Sequence, residues 1–430
     1  MRILALAHNH PGLQPGGTEV VARNLFRAMR DRMPGIEGMF LAAATAALRE
    51  PHPGTLLQAA PGGRADEALI HLPHFDRFFL SQPDTHGLAA TLGAVMETVR
   101  PDIIHLHHPL QFGVETLSLL RLLAPSRTRI VVTLHDYFAI CPREGQLLRG
   151  DGRLCGGPSL DGCRRCVPDR PSADFVLRQL SLRDALSVAD ALIAPSRFLR
   201  DRFVEAGWDA GRIAVLPNAV PDDRPAAPHR AVLPGARRDR FAFLGHINRF
   251  KGSLVALAAS ARLSAEGVPH RLALHGGTAY QPEAFLSEFG AALAAAPAAR
   301  HHGPYDAPEL PRLIAAADWV VVPSIWYENA PLVVLEAFRH RRPVICGDAG
   351  GMAELVRDGV DGLHAPIGDA EGWAEVMARA AGEPGLWERL VEGIRAPPDL
   401  DAMASAHLDL YRRLLRRGRA MSAPAIAAAA

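Results

Sequence analysis

No window of the chain approaches the roughly 18–20 uninterrupted apolar residues that a membrane-spanning helix needs. Nor does either sign of charge dominate: Lys+Arg total 47 against Asp+Glu 46, a net charge of +1. A general polyanion binder carries a stronger basic bias, so nucleic acid is not an expected partner. The opening "MRILALAHNHPG" is too short for a signal h-region with a cleavage site and reads as a first strand. These absences lead us to expect a cytoplasmic protein with at most peripheral contact to the inner face of a membrane. The first loop, "GLQPGG", also lacks the G-x-G-x-x-G arrangement, which disfavours a Rossmann dehydrogenase.

What is present is apolar and periodic. The 430 residues are 48% hydrophobic and 22% charged, enough for two or three domains with packed cores. Continuous apolar runs of the kind buried on both sheet faces occur at "RILALAH", "DIIHLHH" (102–108), "RIVVTLHD" (129–136) and "ADALIAPS" (189–196). Helical patterns separate them, the first carrying Val21, Leu25, Ala28 and Met29 on one stripe with Thr18 as N-cap. The proline-rich stretch 217–239 breaks the pattern and reads as a linker. Alternation restarts at "RFAFLGH" (240–246) and continues through "RLALHGG", "DWVVVPS", "RPVICGD" and "DGLHAP".

The expected fold is therefore α/β: two Rossmann-like doubly wound domains facing across a cleft, with ligand at the carboxyl ends of the strands. The boundaries are an N-terminal domain 1–219 with a cysteine-rich insert 141–166, a linker 220–239, and a C-terminal domain 240–400. A last helix, 401–420, keeps Met403, Leu410, Tyr411 and Leu414 on one stripe and packs back toward the N-terminal domain. Its arginine-rich end, "RRLLRRGR", reads first as a solvated face and second as a contact for anionic lipid. "HFDRFFL" (74–80) places Phe75, Phe78 and Phe79 at helical spacing, for core packing or as an apolar wall for a lipid-linked acceptor.

The most informative stretch is "PSIWYENAPLVVLEAF" (323–338). Pro331 suits a first helical position, because its missing N–H would be unpaired there. The free amides of Leu332 and Val333 then make an anion site at the helix start, fit for a diphosphate. Glu328 precedes the helix and Glu336 lies inside it, so the two carboxylates flank that anion: sugar hydroxyls near Glu328, ribose hydroxyls near Glu336.

Seven pieces, in order, resemble glycosyltransferase family 4, retaining transferases of the GT-B fold: "PGGTE" (15–19), "VTLHD" (132–136), "APSRFLRDRF" (194–203), "VLPNAV" (215–220), "FLGHINRFKG" (243–252), "SIWYENAPLVVLEA" (324–337) and "GGMAELVRDGVDGL" (350–363). The resemblance implies that Gly16 and Gly17 form a loop over the diphosphate and that His135 contacts the sugar or acceptor. It puts Lys251 on the donor phosphates, with Glu328, Asn329, Ala330, Leu332, Val333 and Glu336 completing the donor site. The family usually has arginine where this chain has His246, and Arg249 is the candidate replacement cation. The activity implied is transfer from a UDP, GDP or ADP sugar to a glycan or lipid-linked acceptor, in polysaccharide or glycoconjugate synthesis. Asp399-Leu400-Asp401, the one Asp-x-Asp, reads as an N-cap, so no catalytic metal is expected.

Four of the five cysteines, Cys141, Cys155, Cys163 and Cys166, fall in the insert. Their spacing suits a structural zinc site closed by four thiolates, with free thiols or an iron–sulfur cluster as alternatives. Cys346 reads as a small core residue. "HLHH" (105–108) offers a rival, since His105 and His107 share a strand face and with His135 suggest a hydrolytic metal site. Strand-end packing is the simpler reading of those histidines. A sugar-nucleotide epimerase and a non-catalytic nucleotide-binding protein are the remaining alternatives.

Overall fold

The computed structural model describes residues 1–221, 225–232 and 236–422, with side chains through Arg416. Arg417 and Arg419, on which part of the lipid reading rested, lie outside the described side chains. The chain divides into two compact units, one formed by Met1–Asn218 with the residues from Leu400 onward, the other by Ala219–Asp399. No helix of the described residues is long and apolar enough to cross a membrane.

The first unit is built on eight strands: β1 (Arg2–Ala7), β2 (Glu37–Ala44), β3 (Leu57–Ala59), β4 (Glu67–His71), β5 (Ile103–His107), β6 (Arg129–Thr133), β7 (Ala191–Ala194) and β8 (Ile213–Val215). They lie in the order β3-β4-β2-β1-β5-β6-β7-β8, parallel throughout except for the antiparallel β3–β4 pair. Strand order reverses between β1 and β5, where ligands of doubly wound sheets collect. Register aligns Ala7 with His107 and His107 with Thr133, so the residues just past these strands share one edge.

The second unit has β9 (Arg240–Leu244), β10 (Arg271–His275), β11 (Ala299–His301), β12 (Trp319–Val322), β13 (Val344–Gly347) and β14 (Gly362–Ala365), all parallel in the order β11-β10-β9-β12-β13-β14. Here the reversal falls between β9 and β12. Alternate residues serve opposite cores. Phe241, Phe243, Trp319 and Val321 pack on one face, and Ala242, Leu244, Val320, Val322 and Cys346 on the other. That two-sided burial explains the continuous apolar runs.

Several local expectations change. Gly16, not Thr18, is the N-cap of the helix Gly17–Arg27, and its backbone is extended there. Pro331 likewise caps the helix Leu332–Arg339 from outside instead of opening it. Residues 74–80 form no helix. The Asp76 side chain accepts hydrogen bonds from the amides of Phe78 and Phe79, a local bond that competes with helix formation. Phe78 is still buried, edge-on against Phe79 and Phe175. The last helix runs from Leu400 to Ser422 and packs within the first unit, where Asp401 meets Arg32 and the Tyr411 hydroxyl meets His105 Nδ1 at 2.6 Å.

The described part of the stretch read as a linker is bound along the second unit. Fully buried Arg342 donates to the carbonyls of Ala317 (2.9 Å), His340 (2.8 Å), Ala227 (3.3 Å) and Pro228 (2.5 Å), and burial lowers its guanidinium to about 10. Buried Asp318 collects Arg230, Arg238 and the Arg240 amide. Sequence periodicity cannot register this attachment, because it is made by side chains reaching irregular backbone. Arg342→Ala should cost about 2–4 kcal/mol in urea unfolding, since it strands several buried carbonyls. A loss under about 0.5 kcal/mol would show that the guanidinium does not hold this segment.

Candidate donor site and strand-end histidines

Lys251 is the chain's one lysine, against 46 arginines in a Lys+Arg total of 47. It sits in the loop after β9, and backbone geometry places it. Gly252 has φ +73, and a Cβ there would stand 1.8 Å from the Pro323 carbonyl oxygen past the end of β12. Glycine alone permits that approach. The Ile325 amide then donates to the Phe250 carbonyl at 2.9 Å, and Asn248 Oδ1 accepts from the Lys251 amide at 2.8 Å. The two switch-point loops are thereby clamped together.

Lys251 Nζ reaches Glu328 Oε1 at 2.7 Å, joined on the same oxygen by Ser324 Oγ (2.7 Å) and Trp326 Nε1 (3.0 Å). Glu328 is 5% exposed. Burial works against its ionisation, yet the Lys251 charge and the three donors together hold the carboxyl below its usual range. The Gly351 amide donates to the Glu328 carbonyl at 2.7 Å, so the "GG" of 350–351 buttresses the same loop. A Cβ on Gly351 would strike the Asn329 carbonyl oxygen at 1.5 Å.

Asn329 and Ala330 lead to Pro331, and the helix starts at Leu332. The amides of Leu332 and Val333 belong to its first turn, where helical N–H groups have no intrahelical acceptor. Glu336 lies one turn further, about 6 Å along the axis from Leu332. Burial alone raises its carboxyl to about 7, in contrast to Glu328. Two carboxylates eight residues apart are thus held in opposite protonation tendencies.

Neither His246 nor its candidate replacement Arg249 joins this group. His246 is exposed and bonds the Gly277 carbonyl through Nδ1 at 2.9 Å, while Arg249 pairs with Glu288 beside Phe285.

In the first unit the shared strand edge gathers more than the sequence reading named. His135 Nε2 meets His107 Nδ1 at 3.1 Å, His108 Nε2 meets Asp136 Oδ2 at 2.7 Å, and His8 Nε2 meets Glu19 Oε1 at 2.9 Å. Burial drives His107 well below its ordinary value and His135 to about 3, so both rings are neutral near pH 7. Burial also opposes a charge on His8, but Glu19 outweighs it and raises the pKa. A Cβ on Gly16, the N-cap, would lie 2.4 Å from Glu19 Oε2, so the helix starts with its cap against this carboxylate. His8, Glu19, His108 and Asp136 were missed. Glu19 stood within the quoted "PGGTE", Asp136 within "VTLHD" and His108 within "HLHH", while His8 directly follows β1. His105 is satisfied by Thr133 Oγ1 (2.7 Å) and the Tyr411 hydroxyl, which favours the packing reading of "HLHH".

Comparison with known proteins agrees with this architecture. Residues 15–224 match Glycosyltransferase Family 4, and residues 238–383 match Glycosyl transferases group 1. The D-inositol 3-phosphate glycosyltransferase of Xylanimonas cellulosilytica is 27% identical over 95% of this chain and 96% of its own; that of Mycolicibacterium paratuberculosis is 28% identical over 96% and 91%. Among solved structures, sucrose-phosphate synthase from Thermosynechococcus elongatus aligns with TM-score 0.71 at 20% identity over 97% of this chain and all of its own. Anabaena HepE in complex with UDP aligns with TM-score 0.63 at 18% identity over 99% of this chain and 100% of its own. Two parallel-sheet Rossmann-like units with this strand-end chemistry define a glycosyltransferase of the GT-B fold. Within that class, the chain belongs to glycosyltransferase family 4.

Gly252→Ala should destabilise the protein by about 2–4 kcal/mol, from left-handed strain and the Pro323 clash; an unchanged urea midpoint would refute the close approach. The raised Glu336 pKa sets a second expectation. A carboxyl whose folded value exceeds its unfolded value stabilises below the unfolded value, and that contribution is lost as pH rises toward the folded one. Relative to Glu336→Gln, the wild type should lose stability from about pH 4.5 to about pH 7 and then level off. Parallel stability curves for the two proteins would contradict the raised value.

Proposed function

We propose that the protein transfers a sugar from a nucleotide-diphosphate donor of the UDP type to an acceptor hydroxyl, with retention of anomeric configuration. The carrying observation is the Lys251–Glu328 pair, seated at the β9/β12 switch point next to the first-turn amides of Leu332 and Val333. In this reading the diphosphate occupies the helix start and Lys251, where negative charge grows as the leaving group departs. Glu328 turns to the sugar hydroxyls and Glu336 to the ribose. The resemblance assigns Gly16 and Gly17 to the diphosphate loop and His135 to the sugar or acceptor; the neutral His135 ring suits hydrogen bonding in place of ion pairing. The UDP preference draws support from Anabaena HepE, solved with UDP and with UDP-glucose. Retention follows from the family pattern, with the acceptor hydroxyl attacking the face that the phosphate leaves. No metal ion enters this scheme.

The acceptor class proposed is a hydroxylated glycan, lipid-linked sugar or cyclitol. D-inositol 3-phosphate, for which several relatives are named, belongs in the first acceptor panel. Calorimetric titration with UDP, GDP and ADP in the presence of chelator tests the donor site directly. UDP should bind most tightly, and Lys251→Ala should lower turnover by about 10²–10³-fold. Because Lys251 is the one lysine, an amine-reactive reagent should label it beside the N-terminus, and UDP should protect it. Absence of binding by all three nucleotides would sink the donor-site reading, and an inverted anomer by NMR would sink retention.

A further inference from the structure

The insert that follows His135 and Asp136 takes no part in the chemistry above, yet all four of its cysteines line one cavity of about 60 Å³. Cys163 and Cys166 stand one turn apart on the helix Leu160–Cys166, whose start is capped by Ser159 Oγ accepting from the Gly162 amide at 3.2 Å. Cys155 arrives from a tight turn, its amide bonded to the Leu147 carbonyl at 2.7 Å. Cys141 arrives from the other side, its amide bonded to the Tyr137 carbonyl at 2.7 Å.

The charge around this cavity is one-sided. Arg143, Arg149 and Arg165 line it, and no carboxylate does. Behind it lies Arg178, 4% exposed, whose guanidinium donates to the backbone carbonyls of Phe78 (2.6 Å), Phe138 and Ala139. Among the described residues Arg178 has no carboxylate partner, and it lines a neighbouring cavity together with Cys163. A buried cation without a counter-charge is costly. The groups within its reach that can become anionic are the thiols.

We propose that Cys141, Cys155, Cys163 and Cys166 bind one zinc ion as a closed tetrathiolate site whose net negative charge is balanced by Arg178 and the lining arginines. The step is Zn²⁺ + 4 R–SH → [Zn(SR)₄]²⁻ + 4 H⁺, with four S–H bonds exchanged for four Zn–S bonds and no redox change. Ligation as thiolates displaces the four S–H protons, so loading weakens in acid. Among the described residues no three ligand side chains already stand at ion-holding distance. Binding therefore draws the sulfurs across the cavity and closes the Cys155 turn onto the Leu160–Cys166 helix. Four protein ligands leave no open position, so the ion acts on structure and not on the sugar. What it fixes is the segment immediately following His135 and Asp136.

The test uses the full chain purified under reducing conditions with zinc in the growth medium. Elemental analysis should give about one zinc per chain. A thiol-blocking mercurial should release that zinc to a colorimetric chelator as four thiols, not one or two, become occupied. Replacement by Co²⁺ should produce the visible absorption of a tetrahedral cobalt–thiolate centre on the wild-type protein, which needs no variant to fold. Cys163→Ser should abolish that spectrum, while Cys346→Ala retains it. Chelation of the metal should raise hydrogen exchange across residues 140–166 without changing UDP titration at the second unit, separating this proposal from the donor-site reading. Metal-free protein with four freely titrating thiols would overturn the proposal. So would disulfides within the insert, or iron with acid-labile sulfide in place of zinc.

Discussion

The backbone approach of Gly252 to the Pro323 carbonyl is the constraint from which the site of the second unit follows. It locks the loop after β9 to the loop after β12, at the point where strand order reverses. With those loops joined, the chain's one ammonium side chain is carried to a buried carboxylate that Ser324 and Trp326 already hold. An arginine at this position would present a broad, always-charged fork; lysine presents a compact point charge that can be shared between a carboxylate and an incoming anion. The retention of a single lysine among so many arginines falls at the place where that difference matters.

Electrostatics divides the site into unlike halves. Glu328 stays ionised because cation and donors surround it, whereas Glu336 has burial and, among the described residues, no such partners, and its carboxyl rises to about 7. The same contrast appears at the β1/β5/β6 edge of the first unit. Glu19 shifts His8 toward its protonated form, while burial shifts His107 and His135, packed ring against ring, away from it. Neighbouring groups of one chemical type are separated by their surroundings into charged and neutral members, which is the usual way a fold makes an acid–base-differentiated surface.

Buried guanidinium groups tie down irregular backbone in both units. Arg342 gathers carbonyls of the stretch that follows Asn218, and Arg178 gathers carbonyls of the segments at Phe78 and Phe138–Ala139. Five donors in a planar fork suit this task, since each can satisfy a carbonyl that no strand or helix pairs. For Arg342 the nearby Asp318 offsets the charge; for Arg178 the balancing anion is the one supplied by the proposed thiolate centre.

Much was legible in the sequence. Apolar runs buried on both faces marked most of the strands, the motif order marked the family, and "SIWYENAPLVVLEA" with "FLGHINRFKG" singled out Glu336 and the Lys251 and Glu328 that the structure pairs. The short strands β3, β4, β8 and β11 and the alanine-rich β2 were not legible, because a few small or mixed residues carry no period. Pairing was equally invisible. Whether Lys251 meets Glu328 while Arg249 goes to Glu288, or whether His8 joins Glu19, depends on which loops lie side by side, and strand register sets that. Sequence by itself determined residue type and periodicity, hence the layers and the chemistry available. Only the tertiary structure decided burial and neighbours, and therefore which of two glutamates stays charged, because a pKa is a property of surroundings assembled from residues far apart in the chain.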